Sequence, residues 1–71
     1  MQTETLQDRW LNRLSKDRTV VTVFLVNGFQ IRCTVTAFDA FVVIVNVEGR
    51  QEMIYKHAIS TLAPSAPVPM E

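Results

Sequence analysis

The stretch Tyr55-Lys56-His57-Ala58-Ile59-Ser60 lies between two short strand-like runs near the end of the chain. Residues 51–54 precede it, and residues 61–62 follow it. The stretch is too short for a helix and too polar for a core, so we predict a corner where one strand ends and the next begins. Lys56 and His57 either face a shared polar site or form an ordinary surface corner. A motif this short does not decide between the two.

One helix is predicted ahead of the strands. Thr5 can cap the free backbone N–H groups at its start, and Asp8 adds negative charge to the first turn. An apolar stripe follows at helical spacing, and its members are Leu6, Trp10, Leu11 and Leu14. Basic side chains recur along the flank of this stripe. They are Arg9, Arg13 and Lys16, which form either a solvated face or a basic rail at the edge of the molecule.

Five strands are predicted from residue 19 onward, over residues 19–26, 29–37, 41–47, 51–55 and 60–63. The first and the third are apolar almost throughout, which is typical of strands covered on both faces. The second strand alternates, and its apolar face consists of Phe29, Ile31, Cys33, Val35 and Ala37. One helix followed by these strands predicts a mainly β fold in the form of a small open barrel.

Turns are predicted at three places between the strands. Asn27-Gly28 is a strong hairpin signal because both residues tolerate positive φ. Further turns are expected at residues 38–40 and 48–50. A barrel this small needs a strong bend, which usually comes from a glycine or a bulge in a central strand. The second strand shows neither signal and has only Cys33.

The composition describes one small domain with few internal cross-links. The 71 residues include one cysteine and one histidine, which exclude a disulfide framework and a four-ligand zinc site. Because 48% of the residues are hydrophobic, we expect oligomerisation to complete the core. The last two strands would be open edges that pair head-to-tail into a ring. Residues 1–63 are assigned to the domain and residues 64–71, with three prolines, to a flexible tail.

The charge and the residue inventory exclude several functions. Seven basic and seven acidic residues give zero net charge, so a nucleic acid would need charge segregated onto particular faces. No nucleophile–base pair and no P-loop are apparent, and we expect neither an enzyme nor a cofactor nor a bound metal. The N-terminus does not resemble a signal peptide, and the apolar runs are shorter than a membrane span. We therefore expect a cytoplasmic protein without membrane contact.

Four parts of the sequence together resemble a known family. They are Leu6-Gln7-Asp8 with Leu11-Asn12, then Val26-Asn27-Gly28, then Phe38-Asp39 with Phe41, and most specifically Tyr55-Lys56-His57-Ala58-Ile59-Ser60-Thr61. They resemble the Hfq family of bacterial Sm-like RNA chaperones, and the resemblance extends over residues 5–65. It implies an Sm fold, with a helix on a strongly bent five-stranded antiparallel sheet. It also implies a homohexameric ring that binds single-stranded RNA and pairs small regulatory RNAs with mRNAs.

The resemblance implies three RNA-binding surfaces and a subunit interface. The pore-side face, for uridine-rich 3′ ends, takes Gln7, Phe41, Lys56 and His57. The opposite face, for adenine-rich RNA, takes Phe24, Leu25, Gly28, Phe29, Gln30, Ile31, Arg32, Gln51 and Thr61. The rim takes Asn12, Arg13, Lys16, Arg18 and Phe38. The subunit interface takes Met53, Tyr55 and Ile59.

The aromatic residues in these sets also have purely structural interpretations. Phe41 stands at a predicted strand start, where it could be a core aromatic, and Phe24 and Phe29 flank a hairpin whose core they could form. As RNA contacts, all three offer flat faces on which bases stack. Gln51 offers an amide of the kind that bonds an adenine edge.

The chain departs from the family pattern at three positions. Ala40 replaces an amide that several relatives carry, which implies weaker base discrimination on the pore-side face. Ser15 replaces a frequent arginine, which implies a weaker rim and slower RNA annealing, partly compensated by Arg13. Cys33 replaces a common glycine and is expected to be a small buried apolar residue. A structural ring that has lost RNA binding is the alternative function.

Overall fold

The structure, a computed structural model, describes residues 4–70. The helix α1 (Leu6–Asp17) precedes five strands, which are β1 (Val20–Leu25), β2 (Gln30–Phe38), β3 (Val42–Val47), β4 (Arg50–Tyr55) and β5 (Ile59–Pro64). A single 3-10 turn, Lys56–Ala58, connects β4 to β5. The predicted order of elements is confirmed, and the predicted corner at Lys56 and His57 is this short turn.

The helix has the start that the sequence predicts. The Thr5 hydroxyl accepts a hydrogen bond from the Asp8 N–H at 3.0 Å, which satisfies one of the free donors of the first turn. At the other end Arg18 adopts a left-handed conformation with φ 52°, and the Thr19 N–H donates to the Leu14 carbonyl at 3.1 Å. This left-handed ending turns the chain sharply out of α1 into β1.

The five strands form one antiparallel sheet in the order β4-β3-β2-β1-β5. The edges are therefore β4 and β5, as predicted. One face of the sheet, called the core face below, packs with buried residues of α1, and the opposite face is called the outer face. The core consists of Leu11, Leu14, Val21, Val23, Cys33, Val35, Val43, Val45 and Ile54.

The prediction that β1 and β3 are covered on both faces is wrong for this chain. Only alternate residues are buried, namely Val21 and Val23 in β1 and Val43 and Val45 in β3. Their neighbours on the outer face are half-buried or exposed. A continuous apolar run does not by itself indicate burial on both faces, because β-branched residues also suit a sheet with one open face.

The bend contains a β-bulge that the sequence did not reveal. The register between β2 and β3 shifts between Val35 and Ala37, so the inward and outward alternation of β2 breaks at this point. Ala37 is exposed, contrary to the prediction that it shares the apolar face, and Phe38 packs against the core instead. The bulge supplies the bend for which no glycine is present.

Polar side chains hold the bulge in place. The Ser15 hydroxyl of α1 donates to the Thr36 carbonyl at 3.3 Å, and the Thr36 hydroxyl donates to the Ile44 carbonyl at 3.2 Å. Ser15, first noted as a missing arginine, therefore ties the helix to the irregular part of β2. The short Ser15 hydroxyl can bond a nearby backbone carbonyl in a way that the longer arginine side chain could not.

Cys33 is buried with 5% of its surface exposed, which confirms its prediction as a small core residue. Burial raises the pKa of its thiol, and the Glu52 carboxylate raises it further. A thiol with a raised pKa stays protonated near neutral pH and is a poor nucleophile.

The two hairpin turns differ in type, and the first is not of the type predicted. In the first, the Gly28 N–H donates to the Leu25 carbonyl at 2.9 Å, and positive φ occurs at Gly28 (96°) but not at Asn27. In the second, Glu48 and Gly49 have φ values of 51° and 83°. The positive-φ pair typical of a two-residue hairpin is therefore at Glu48-Gly49 and not at Asn27-Gly28.

The residues after β5 remain close to the domain. The Ser65 N–H donates to the Val20 carbonyl at 2.8 Å, and Val68 is half-buried against the core. Pro64 pairs with Val21 at the end of β5, and an edge strand tolerates a residue without an N–H group. Strand β5 thus runs one residue further than predicted. The division of the chain into residues 1–63 and 64–71 stays a prediction.

The substitution Glu48→Asn is expected to stabilise the β3–β4 hairpin. A left-handed residue other than Gly, Asn or Asp costs roughly 1–2 kcal/mol, and Asn should recover about half of this. Urea unfolding at a fixed protein concentration measures the change, since assembly would make stability depend on concentration. Glu48→Gln removes the same charge without the left-handed preference and is the control. Equal stabilisation by both variants would mean that charge, and not φ, limits this turn.

Candidate nucleic-acid interface

Phe41 lies in a tightly held turn just ahead of β3. Its side chain is 75% exposed, which excludes the interpretation as a core aromatic. The Asp39 carboxylate accepts hydrogen bonds from the N–H groups of Phe41 at 2.8 Å and Val42 at 2.9 Å. The Lys56 N–H donates to the Phe41 carbonyl at 2.8 Å. The backbone of the turn is therefore held from both sides, while the ring faces solvent.

The charge of Asp39 is stabilised by this turn. The backbone N–H groups of Phe41 and Val42 lower the pKa of the Asp39 carboxyl, and the Lys56 ammonium lowers it further. A hydrogen bond to the ionised form favours that form. The turn and the ionised carboxylate therefore stabilise each other.

The Lys56 ammonium is oriented by side chains from two other elements. Its Nζ donates to the Gln7 Oε1 at 2.6 Å, and it lies 5.7 Å from the centroid of the Phe38 ring. A cation above a ring face at this distance is attracted by the ring. The structure thus brings Gln7, Lys56 and Phe41 together as predicted. It also puts Phe38, which was predicted for the rim, under Lys56.

A cavity of about 280 Å³ adjoins this cluster. Its lining includes Gln7 and Lys56, but also Trp10 and Ser60, which the sequence analysis did not assign to any site. The sequence predicts Trp10 only as part of the apolar stripe. Its spacing of three residues from Gln7 could have indicated that it lies beside the site, because residues three apart are neighbours on a helix.

His57 lies beside the cluster in the 3-10 turn. Its ring is stacked on Tyr55, with the ring centroids 5.6 Å apart and an angle of 15° between the planes. Both side chains are exposed. The stacking orients the exposed imidazole.

The outer face carries most of the second predicted set. Phe24 is directly opposite Gln30 on β2 and opposite Thr61 on β5, and Arg32 pairs with Thr22. Phe29 is 70% exposed, so it is not the core of the hairpin. Gln51 is exposed on β4. These side chains form a mixed aromatic and polar surface across the sheet.

Two residues predicted for the outer face are oriented differently. Leu25 and Ile31 are half-buried and pack against the core. Leu25 follows the buried positions 21 and 23 on its strand, and Ile31 lies opposite Val23. Alternation along a strand therefore directs both side chains away from the face that carries Phe24 and Arg32.

A backbone contact links the two predicted faces. The Val26 N–H, in the hairpin that carries Phe29, donates to the Ala58 carbonyl at 2.9 Å. Ala58 follows His57 in the 3-10 turn. The hairpin tip and the turn are thus held at a fixed distance from each other.

Two of the predicted rim residues on α1 have acidic partners. Arg13 forms an ion pair with Asp17 at 2.9 Å, and the Asn12 amide donates to the Glu4 carboxylate at 3.0 Å. Lys16 is exposed, and Arg18 caps the helix in the left-handed conformation. Two of the polar side chains predicted for the rim, Arg13 and Asn12, therefore already contact carboxylates.

The sheet edge at β4 exposes large apolar side chains. Met53 and Tyr55 are 53% and 51% exposed. Ile59, the third residue predicted for a subunit interface, is half-buried at the start of the other edge strand. An exposed apolar edge strand tends to pair with another chain.

Within residues 4–70 there is no group of His, Cys, Asp and Glu side chains that could hold a metal ion. In the same range no helix is long and apolar enough to cross a membrane.

A helix on an open, bent five-stranded antiparallel sheet, with an exposed aromatic beside a fixed lysine, defines an Sm-like domain. A crystal structure of the pleiotropic translational regulator Hfq matches the fold with a TM-score of 0.80 and 44% sequence identity, over 83% of this chain and 98% of that chain. The family model described as Hfq protein matches residues 6–69. The chain therefore belongs to the Hfq family.

Curated relatives agree over nearly the whole chain. The RNA-binding protein Hfq of Anoxybacillus flavithermus is 56% identical over 69 residues, which are 97% of this chain and 93% of the relative. The RNA-binding protein Hfq of Bacillus subtilis is 54% identical over 66 residues, which are 93% of this chain and 90% of the relative.

Replacement of Asp39 by Asn is expected to destabilise the protein in a pH-dependent way. The pKa of Asp39 is lower in the folded chain than in the unfolded chain. Its stabilising contribution is therefore complete above the unfolded value of about 3.9 and is lost as the pH falls through the folded value. Urea unfolding at near-neutral and strongly acidic pH should show a stability difference between wild type and Asp39→Asn that shrinks on acidification. A difference that stays constant with pH would contradict this role of the carboxylate.

Proposed function

We propose that this protein is an RNA chaperone that assembles into a homohexameric ring in the cytoplasm and promotes the pairing of small regulatory RNAs with mRNAs. The observation that carries the proposal is the exposed ring of Phe41, whose backbone is held by the Asp39 carboxylate and by the N–H of Lys56, a residue with an oriented ammonium group. A solvent-facing aromatic on a fixed backbone, hydrogen-bonded to a residue that carries a cation, suits a stacked base with its phosphate. The relatives' names as RNA-binding proteins support the same ligand class.

The pore-side face is suited to uridine-rich 3′ ends. Phe41 stacks on a base, Lys56 contacts phosphate or a base oxygen, and His57 donates to the terminal ribose hydroxyls. Because the Gln7 carbonyl oxygen accepts from Lys56, its amide N–H groups are left to donate to uracil oxygens. Ala40 is exposed beside this turn and has no polar group, so discrimination between bases at this site is modest.

A ring explains why the two sheet edges remain open within one chain. Strand β4 of one copy pairs with β5 of the next, which covers Met53 and Tyr55 and leaves no free edge in a closed ring. The number of six subunits rests on the resemblance to the family. The ring repeats each modest RNA contact around one pore, and the second and later contacts then form at a high effective concentration.

The outer face binds adenine-rich RNA. Phe24 on β1 and Phe29 in the β1–β2 turn supply stacking surfaces, and Gln51 bonds an adenine edge. Gly28 gives the hairpin its positive φ, and Gln30 and Thr61 adjoin Phe24 across the sheet. Arg32 provides the positive charge on this surface. Leu25 and Ile31 contribute chiefly by supporting the strands from the core side.

The rim contributes less than the two faces. Its cations compete with carboxylates on the same helix, as the ion pair between Arg13 and Asp17 illustrates. Affinity for RNA follows the number of phosphates that are neutralised. We therefore expect slower annealing of RNA pairs than in a relative with several arginines on the rim.

The Phe41→Ala and Phe29→Ala variants should separate the two faces. Loss of a stacking ring costs roughly 1–3 kcal/mol per base, so Phe41→Ala should weaken oligo-U binding by at least about fivefold and leave oligo-A binding unchanged. Phe29→Ala should do the reverse. Fluorescence anisotropy with labelled oligomers measures both affinities, and each variant is the control for the other.

Equal losses for both RNAs in either variant would contradict the assignment of separate faces. If neither RNA binds the wild-type protein more tightly than about 10 μM at moderate salt, within the range of nonspecific binding, the chaperone proposal fails. A structural ring without RNA binding would then be the better description.

The Met53→Glu variant should disrupt the ring. A charge at the exposed β4 edge would be buried between subunits without a partner, which is strongly unfavourable. Sedimentation velocity should show the wild type as a closed oligomer and the variant as smaller species. Gln30→Glu, on the central strand β2, adds the same charge away from any edge and should leave the ring intact. A wild-type chain that sediments as a monomer at micromolar concentration would contradict assembly.

A further inference from the structure

An open groove of about 390 Å³ lies between β2 and the β3–β4 hairpin. Its polar lining consists of Arg32, Thr34, Asn46 and Glu48. With the exception of Arg32, none of these residues belongs to the RNA-binding surfaces described above. The groove therefore extends the outer face toward the end of the sheet that is remote from the β1–β2 hairpin.

The sheet register connects the groove to Gln51. Asn46 is the direct cross-strand partner of Gln51 on one side and of Thr34 on the other. Direct cross-strand partners project from the same face of a sheet. Gln51, Asn46 and Thr34 thus form a polar row across three strands, and a nucleotide chain bound at Gln51 can continue along it.

The Asn46 side chain is already oriented. Its Oδ1 accepts a hydrogen bond from the Gly49 N–H at 2.9 Å. This contact fixes which end of the amide points at the turn. The amide nitrogen therefore offers its donors to the groove, where it can bond an acceptor on a ligand.

The two charged residues of the groove have no ionic partner among residues 4–70. The ion pairs of this part of the chain are Arg13 with Asp17 and Arg50 with Glu52. Arg32 and Glu48 are both exposed. The groove thus presents a guanidinium, an oriented amide donor and a carboxylate acceptor to one ligand.

We infer that the groove binds a guanine nucleotide of an RNA strand whose neighbouring bases lie on the outer face. The inference rests on the proposed RNA binding of that face and adds a specificity to it. The Glu48 carboxylate accepts from the guanine N1–H and N2–H groups, the Asn46 amide donates to O6, and Arg32 contacts a phosphate. Guanine is selected because its pairing edge presents two adjacent donors next to an acceptor, which a carboxylate can accept in a bidentate manner.

The other bases match this arrangement less well. Adenine and cytosine present one exocyclic amino group beside an acceptor nitrogen, and uracil presents a single N–H between two oxygens. Each leaves one oxygen of Glu48 without a donor. The carboxylate would also repel a phosphate, which directs the backbone toward Arg32 and the base toward Glu48.

A series of equal-length adenine oligomers, each with a single guanine at a different position, tests the inference. At one of these positions the guanine should tighten binding of the oligomer by about fivefold or more, which is the low end of what a bidentate base contact provides. Inosine, which lacks the N2 amino group, should give an intermediate increase in affinity at the same position, and uracil should give no increase. Fluorescence anisotropy measures each affinity.

Two near-isosteric variants identify the residues. Glu48→Gln removes the bidentate acceptor, and Asn46→Asp removes the amide donor but keeps the oxygen that accepts from Gly49. Each should abolish the guanine preference and leave the relative order of unmodified oligo-A and oligo-U unchanged. Glu52→Gln removes a carboxylate from the core side of β4 and should preserve the preference.

The inference is overturned if guanine binds no more tightly than adenine at any position. It is also overturned if Glu48→Gln strengthens all oligomers equally with the guanine preference intact, since Glu48 would then only repel phosphates. If oligo-A itself does not bind, the proposed outer-face function fails and this inference fails with it. The first two results leave the proposed function standing, so the two failures are distinguishable.

Discussion

The candidate RNA-binding site depends on the hydrogen bond from the Lys56 N–H to the Phe41 carbonyl. It joins the turn ahead of β3 to the turn between β4 and β5. Asp39 holds the same segment from the opposite side through two further N–H groups. An exposed phenylalanine would otherwise sample many positions. Because its backbone is fixed at both peptide groups, little backbone entropy remains to be lost when a base stacks on its ring.

The short chain imposes the second constraint. Five strands and one helix contain about two thirds of residues 4–70, and the strand order leaves β4 and β5 at opposite edges. Neither edge can reach the other within one chain, so apolar side chains such as Met53 stay exposed. The 3-10 turn that carries Lys56 and His57 is also the connection between these two edge strands. Any contact that organises the edges therefore acts directly on the turn that bears the cation.

The sequence predicted the helix and the strands more accurately than it predicted the bulge and the turn types. Thr5 as the helix cap, the five strands and the convergence of Gln7 with Lys56 all have local or motif signals, and the structure has them. The bulge in β2 had no such signal, because its bend depends on a tertiary contact from Ser15 and not on a glycine. The position of Phe38 under Lys56 follows from that bulge, so it could not be predicted either. The type of the first turn was predicted wrongly because Asn27 favours the left-handed conformation, which Glu48 in the second turn adopts instead.

The absence of net charge is compatible with RNA binding because of how the charges are paired. On and around α1, Asp17 pairs with Arg13 and Glu4 accepts a hydrogen bond from Asn12. Lys56 instead contacts a neutral amide and a ring, and Arg32 has no ionic partner among residues 4–70. Screening at physiological salt confines each exposed charge to a range of about 8 Å. The pairing of charges on each surface, and not the net charge of the chain, therefore decides which surfaces can attract phosphate.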